Sequence, residues 1–526
     1  MQRRTFLAAT GTTLALPSIA RAQAGRTLRF IPQADLSTLD PHWNTAYVTR
    51  NHGFMVFDTL YGTNAAYAAT PQMVAGHVVD ADGLQWTLTL RDGLLWHDGT
   101  PVLARDCVAS IRRWGAKDTF GQALLSATEE LSAPDDKRIR FRLRRPFPLL
   151  PDALAKTGVY MPAMMPERLA RTDPGTQVTE MVGSGPFRFL ADERVPGARA
   201  AYARFDKYLP LPTGTPERTS GPKIVHLDRV EWTTVPDPAT AAAALQRGET
   251  DWWDYASADL LPVLRRAGGI TVEVQDPAGA IALMRMNHLQ PPFNNPAIRR
   301  AVLGAVNQAD FLTSFVGDDR ALWRDNAGMF TPDTPLANVI GMEALTGPRD
   351  LARVKQAILD AGYKNERVVL IVPTDFPNLK AMADVGADMF RRIGLNVDYQ
   401  ATDWGTLLTR RAKKDPVDAG GWSVFFTFGA GTDQATPAAN LMLRANGDKA
   451  WFGWPEDPKI EALRDEWFTA PDLPAQQRIA AALQRQAFET IPYVPLGQYF
   501  QATAYRKTLH GVLNGFSMFW NVRKDA

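Results

Sequence analysis

Residues 70–114, TPQMVAGHVVDADGLQWTLTLRDGLLWHDGTPVLARDCVASIRRW, restrict the fold more than any other stretch of the chain. Three Asp-Gly pairs (Asp82-Gly83, Asp92-Gly93 and Asp98-Gly99) supply the positive φ angles of tight turns. Between the first two, Leu84, Trp86, Leu88 and Leu90 alternate with Gln85, Thr87 and Thr89, the period of a half-buried strand. Pro101 suits the first turn of a helix, and Leu103, Cys107, Val108, Ile111 and Trp114 fall on one face of it. The segment therefore predicts a β meander that runs into an amphipathic helix.

Its wording closely resembles the extracytoplasmic solute-binding proteins of family 5, the peptide- and nickel-type binding proteins that feed bacterial ABC transporters. Met73, Val74 and His77 stand where that family usually has Leu, Ala and Trp, and Cys107 is a further departure. The resemblance continues through LSTLDP at 36–41, VFDTL at 56–60, MVGSGPFRFL at 181–190 and LQRGETDWW at 245–253. It goes on through Asn287, Pro291-Pro292-Phe293 and the helix opened by Asn295-Pro296, then IPYVPL at 491–496. It spans nearly the whole chain from Leu36 to about His510.

A chain of 526 residues is too long for one hydrophobic core. The first 24 residues read as a leader rather than as fold. Arg3-Arg4 before Thr5-Phe6-Leu7 resembles a twin-arginine export signal, 7–19 is a short apolar run, and Ala22-Gln23-Ala24 offers a cleavage site. A transmembrane anchor is disfavoured, because that run is short and broken by Thr residues and Pro17. Loss of Arg3, Arg4 and Arg21 takes the formal charge from +2 to −1. Such a balance gives no electrostatic reason to expect nucleic acid as a partner. The lone Cys107 forms no intrachain disulfide and sits in the apolar register of its helix.

Further along, Leu351, Val354, Ile358 and Ala361 share a helix face that Gly362 stops. Strand 368–372 follows, then a helix from Asn378 stopped by Gly394, then strand 395–399. Strand–helix–strand at this spacing builds a parallel sheet. The expected fold class is α/β: a two-lobed periplasmic binding protein type II fold with a hinge of two crossing segments and an extra small subdomain in lobe I. Expected boundaries are 1–24 for the signal and 25–276 for lobe I, with the subdomain at about 63–180. Lobe II is expected at 277–491, and 492–526 completes lobe I.

Catalytic arrangements are scarce. No G-x-S-x-G elbow, H-E-x-x-H pair or phosphate loop occurs, and Ser220-Gly221-Pro222-Lys223 has Gly-Pro where an S-x-x-K pair needs a helix. The seven histidines are scattered singly, so zinc is not expected, and no cofactor is expected. Asp80-Ala81-Asp82-Gly83 is read as a turn rather than a calcium loop. Arg138, Arg140, Arg142 and Arg144 alternate with apolar residues, which reads as the solvated face of a strand.

The resemblance implies a ligand cleft between the lobes. Gly421-Trp422 matches a family landmark at a strand end facing the ligand. Three residues after that Trp the peptide-binding branches carry an aspartate that pairs with the peptide ammonium; here the position is Phe425. Either Asp433 or Asp403 holds the ammonium, or the ligand has no free amine. Neighbouring Phe425 and Phe426 point to opposite faces of a strand. Expected ligand-binding residues are Gln33, Asp403, Trp404, Gly421, Trp422, Ser423, Phe425, Thr427 and Asp433. The chain is expected to be a monomeric periplasmic component of an ABC importer that captures a peptide or peptide-like solute. It would deliver that solute to permease subunits, with ATPase subunits acting indirectly. The alternatives are an exported hydrolase, a redox-cofactor chaperone, or a binding protein for a metal chelate, an opine or a sugar-like solute.

Overall fold

The computed structural model describes residues 26–470 and 472–525. The expected export signal at 1–24 lies outside them. Two sheets organise the chain. The first has seven strands in the order Ile270–Val274, Ala502–Arg506, Trp252–Trp253, Thr27–Ile31, Arg229–Thr233, Arg199–Arg204 and Phe187–Phe189. Thr27–Ile31 runs parallel to both its neighbours. Phe30 on that strand meets Trp232, Trp252 and Phe519 at centroid distances of 5.4, 5.4 and 5.0 Å. The C-terminal segment thus fills the core of lobe I, since aromatic rings contribute much of the apolar area a sheet must bury.

The second sheet has six strands in the order Trp323–Arg324, Val494–Tyr499, Ala280–Met286, Val424–Ala430, Arg367–Pro373 and Asn396–Thr402. Arg367–Pro373 and Asn396–Thr402 pair in parallel along their whole length, with the helix Pro377–Arg392 between them in sequence. Local signals set these boundaries. Asn295 accepts a hydrogen bond from the Ala297 backbone N–H at the start of Pro296–Leu303, and Asp350 caps Leu351–Asp360 through Arg353 N–H. Gly248, with φ at 76°, ends the helix Pro238–Arg247 in the left-handed conformation that favours glycine.

The 70–114 segment forms the meander and helix its pattern predicts. Val74–Val79 and Gln85–Leu90 join Arg138–Leu143 and Thr128–Ser132 in a four-stranded antiparallel sheet. The helix Ala104–Gly115 buries Cys107, Ile111 and Trp114. The basic stripe faces acids on the next strand: Arg140 reaches Glu130 at 3.0 Å and Arg142 reaches Glu129 at 3.2 Å.

One expected boundary moves. The sequence pattern puts the chain back in lobe I from residue 492, but Val494–Tyr499 hydrogen-bonds to Ala280–Met286 and Trp323–Arg324 in the lobe II sheet. The return occurs between Tyr499 and Ala502, where the next strand pairs with Trp252–Trp253 and Ile270–Val274 in lobe I. The Ile-Pro pair at 491–492 ends the helix Leu473–Thr490 rather than the lobe.

Candidate ligand cleft between the lobes

In open α/β sheets, ligands collect beyond the carboxyl ends of the strands. Here both sheets aim those ends at the same gap. From lobe I come Gln33 after Thr27–Ile31, Thr234 after Arg229–Thr233, and Asp254-Tyr255 after Trp252–Trp253. Lobe II contributes Asp375-Phe376 after Arg367–Pro373, Asp403-Trp404 after Asn396–Thr402, and the end of Val424–Ala430. Two small cavities of about 60 and about 40 Å³ lie in this gap and share Gln33 and Tyr255 in their walls.

The larger of the two is lined by Arg50, Asp254, Asp276, Gln501 and Phe428, among others. Arg50 belongs to Tyr47–Val56, a helix buried on every face. Its Nε and Nη2 donate to Asn51 Oδ1 at 3.0 and 2.8 Å, and its guanidinium lies over the rings of Phe516 and Tyr47 at 4.1 and 4.7 Å. No carboxylate forms an ion pair with it among the described residues. Burial works against its charge, and the two carboxylates that bear on it are engaged elsewhere: Asp433 accepts from Tyr47, and Asp276 pairs with Arg218 at 3.1 Å. Asp254 accepts from the Gln33 backbone N–H at 3.3 Å and from Ser517 Oγ, and burial pushes its carboxyl up to about 6. A cation and an acid titrating near neutrality thus share one cavity, with amide and hydroxyl groups around them.

A third, apolar cavity of about 770 Å³ lies between the small subdomain and lobe II, with Tyr67, Lys156, Leu336 and Trp467 in its wall. Tyr47 and Asp433 separate it from the first. The Tyr47 ring stacks on Phe428 at 5.4 Å, and its hydroxyl accepts from the Ala430 backbone N–H and donates to Asp433 Oδ2.

The residues singled out from sequence divide into two groups. Gln33 lines both small cavities. Asp403 caps the helix Trp404–Arg410, and its bonds from Thr406 hold its carboxyl below the usual range. Trp404 is buried beside Phe376, at 5.5 Å between ring centroids, and its Nε1 has no acceptor among the described residues. Asp433 is buried against Tyr47, and burial raises its carboxyl despite nearby Lys156. The other five sit on or beside Val424–Ala430, away from the lining of these cavities. Gly421 lies against the 415–416 backbone, and Ser423 Oγ accepts from the Val369 N–H at 3.0 Å. Trp422 is fully buried, donates to Arg411 O at 3.1 Å and meets Phe425 edge-on at 5.0 Å. Thr427 is buried within the sheet. Phe428 and Ala430, at the other end of this strand, face the larger of the two small cavities. Tyr47, Arg50, Asp254 and Tyr255 were not anticipated, although Asp254 directly follows the LQRGETDWW corner.

Two α/β lobes joined by two crossings, with polar groups converging in the gap, define a solute-binding protein. The profile of the bacterial extracellular solute-binding proteins, family 5 Middle, matches residues 68–451, and the chain belongs to this family. It is 38% identical over 523 residues to the "Probable peptide ABC transporter periplasmic-binding protein y4tO" of Sinorhizobium fredii, covering 98% of this chain and 97% of that one. It is 23% identical over 521 residues to the glutathione-binding protein GsiB of Pectobacterium atrosepticum, covering 97% and 96%. Among solved structures, the binding protein AgaA from A. tumefaciens R10, in complex with agropinic acid, superimposes with a TM-score of 0.79 at 21% identity, covering 95% of this chain and 99% of that one. DppA from Helicobacter pylori, in complex with the peptide STSA, does so with a TM-score of 0.77 at 20% identity, covering 96% and 100%. At such identities the likeness to the solved structures is one of fold.

Among the described residues, no group of three or more His, Cys, Asp or Glu is placed to hold a metal ion, and no helix is long and apolar enough to cross a membrane.

Proposed function

We propose that this chain is the substrate-binding component of an ABC importer and that its solute is a peptide-sized molecule bearing a carboxylate, held between the lobes. The relative at 38% identity, named for peptide transport, supports the class of solute. The observation that carries the carboxylate is Arg50: a buried guanidinium facing the interlobe cavity whose own hydrogen bonds go to one neutral amide. A buried charge with no carboxylate in direct contact is costly, and a ligand carboxylate received there offsets that cost. Asp254 and the amide groups of Gln33 and Gln501 supply acceptors and donors for a peptide bond. The protein works in the periplasm as a monomer, closes on its solute without covalent chemistry, and presents the closed form to permease subunits. Only a ligand that prefers the closed form shifts the lobes toward it.

Native mass spectrometry of the exported protein tests this, followed by thermal unfolding with di- and tripeptides. A cognate solute at 100-fold excess over its Kd adds about 2.7 kcal/mol of stability. Absence of any stabilising peptide, or hydrolysis of peptide or ester substrates, would overturn the reading.

A further inference from the structure

A second buried cation lies on the lobe II side of the cleft and has a different environment. Arg411 directly follows the helix Trp404–Arg410 and is only 3% exposed. Its sole side-chain hydrogen bond among the described residues runs from Nη2 to Thr45 Oγ1, at 2.8 Å, and Thr45 belongs to lobe I. Its Nε is buried without a partner. Aromatic rings surround the guanidinium: Phe452 at 4.8 Å, Trp451 at 5.3 Å, and Trp404 and Phe425 each at 6.0 Å. No carboxylate pairs with it among the described residues. Tyr160 is the one acidic group that favours its charge, and burial pulls its pKa down to about 9.

The other deeply buried arginines are completed by the fold itself. Arg285 donates to the carbonyls of Phe452, Met442, Pro492 and Trp451. Arg464 has Pro437 O, Thr119 Oγ1 and Glu461. Arg113 leaves Nε and Nη1 unpaired among the described residues, but its charge is met by the Asp40 carboxylate at 2.7 Å, which Arg411 lacks. Arg411 has one hydroxyl for five N–H groups.

The unused polar groups around it are all donors. Trp404 Nε1 and Trp451 Nε1 are buried with no acceptor, as is Arg411 Nε. Buried polar groups are ordinarily paired, so two unpaired indole N–H groups beside a guanidinium that itself leaves Nε unpaired form a cluster suited to an acceptor. A free ammonium has only donors and a positive charge, and both properties exclude it here. A carboxylate has only acceptors and the opposite charge.

This cluster packs behind the wall of the interlobe gap, through Phe376, which lines the smaller of the two small cavities. Tyr47, which lies beneath Arg50, stacks on Phe428; Phe428 meets Phe376 at 6.1 Å, and Phe376 meets Trp404. One aromatic wall therefore runs from Arg50 to Arg411.

Resting on the reading of a peptide-sized solute, we infer that Arg411 with the Trp404 and Trp451 indoles receives a second carboxylate of that solute. The solute is then an amino-acid or peptide derivative with an acidic group at each end and no free ammonium. Thr45 from lobe I completes the seat when the lobes are closed, so recognition of this group is coupled to closure.

Titration calorimetry of the exported protein with paired probes tests the assignment: glycyl-leucine against N-succinyl-leucine, leucyl-leucine against N-succinyl-leucyl-leucine, and inorganic phosphate. The succinylated member of each pair is expected to bind at least tenfold tighter. Arg411→Gln should abolish that preference, while Arg411→Lys, which keeps the charge, should retain part of it. Should Arg411→Gln fail to fold, Trp451→Phe removes one indole N–H with little change of shape, and a loss of preference there reads the same way. Equal or tighter binding of the free-amine members overturns the assignment and leaves the peptide reading standing. So does undiminished preference in Arg411→Gln, or binding of phosphate alone. Binding of neither series overturns both.

Discussion

Tyr47 on lobe I donates its hydroxyl hydrogen to Oδ2 of Asp433 on lobe II at 2.9 Å, and both side chains are buried. The bond belongs to the closed arrangement of the lobes, because its two partners come from opposite sides of the cleft. Tyr47→Phe leaves the Asp433 carboxylate short of a donor at a cost of about 1–3 kcal/mol. Each 1.4 kcal/mol is about tenfold in an equilibrium constant, so affinity for any cleft ligand should fall by roughly 5- to 100-fold. Small-angle scattering of the unliganded variant should give a larger radius of gyration than the parent. An unchanged affinity and radius would show that this contact does not hold the lobes together.

Asp254 makes stability depend on pH in an uncommon direction. Burial raises its carboxyl to about 6, against about 3.9 in an unfolded chain. Between those values the native state keeps a proton that the unfolded state has released. Its contribution to stability is therefore complete below about pH 4, falls as pH rises, and is gone above about pH 6, for a total of about 3 kcal/mol. Asp254→Asn should remove this component. Urea midpoints of the parent and variant, compared from about pH 4 to pH 7, check it; parallel profiles would dismiss Asp254 as the source.

Trp422 should matter to stability and not to selectivity. It is fully buried and packed edge-on against Phe425, with its Nε1 bonded to Arg411 O. Trp422→Ala should cost about 3–5 kcal/mol in denaturant unfolding. Among ligands that still bind, the rank order should persist. A reordered panel would return Trp422 to the cleft wall.

Lys223 and Asp58 form a fully buried ion pair at 2.6 Å, and Tyr208 also donates to that carboxylate at 2.9 Å. Lys223→Met strands the charge on Asp58 and should destabilise by about 3–5 kcal/mol. The double change Lys223→Met with Asp58→Asn should recover part of the loss. A double variant no better than the single would show that lost packing, not the stranded charge, sets the cost.

Much of the fold was legible because its boundaries are set locally. Asn295 and Asp350 cap the helices that follow them, and Gly248 turns the chain where a left-handed residue is required. The cleft was less legible, for a reason visible in Val424–Ala430. Every residue of that strand is buried, so no alternation marks a face, and nothing local tells which end meets the ligand. Sequence reasoning therefore spread its expected contacts over both ends, from Gly421 and Trp422 to Thr427 and Asp433, whereas Phe428 and Ala430 line the cavity. The helix Tyr47–Val56 was missed for the same cause: burial on all sides leaves no amphipathic period, and Arg50 then resembles any surface arginine. The return to lobe I was set too early because Val494–Tyr499 is recognisable as lobe II only through its partners Ala280–Met286 and Trp323–Arg324.

The two crossings are short and touch. One comprises residues 275–279 and the other residues 500–501, and a Cβ at Gly279, whose φ is 58°, would come within 2.5 Å of Tyr499 O. Any swing of one lobe against the other must be absorbed by rotation about a handful of backbone bonds at this crossing point. Because each crossing runs directly into a strand of either sheet, there is little slack to dissipate the motion. The joint behaves as a stiff axle rather than a tether, which confines the halves to a single path of approach and brings distant side chains such as Thr45 and Arg411 into register each time they meet.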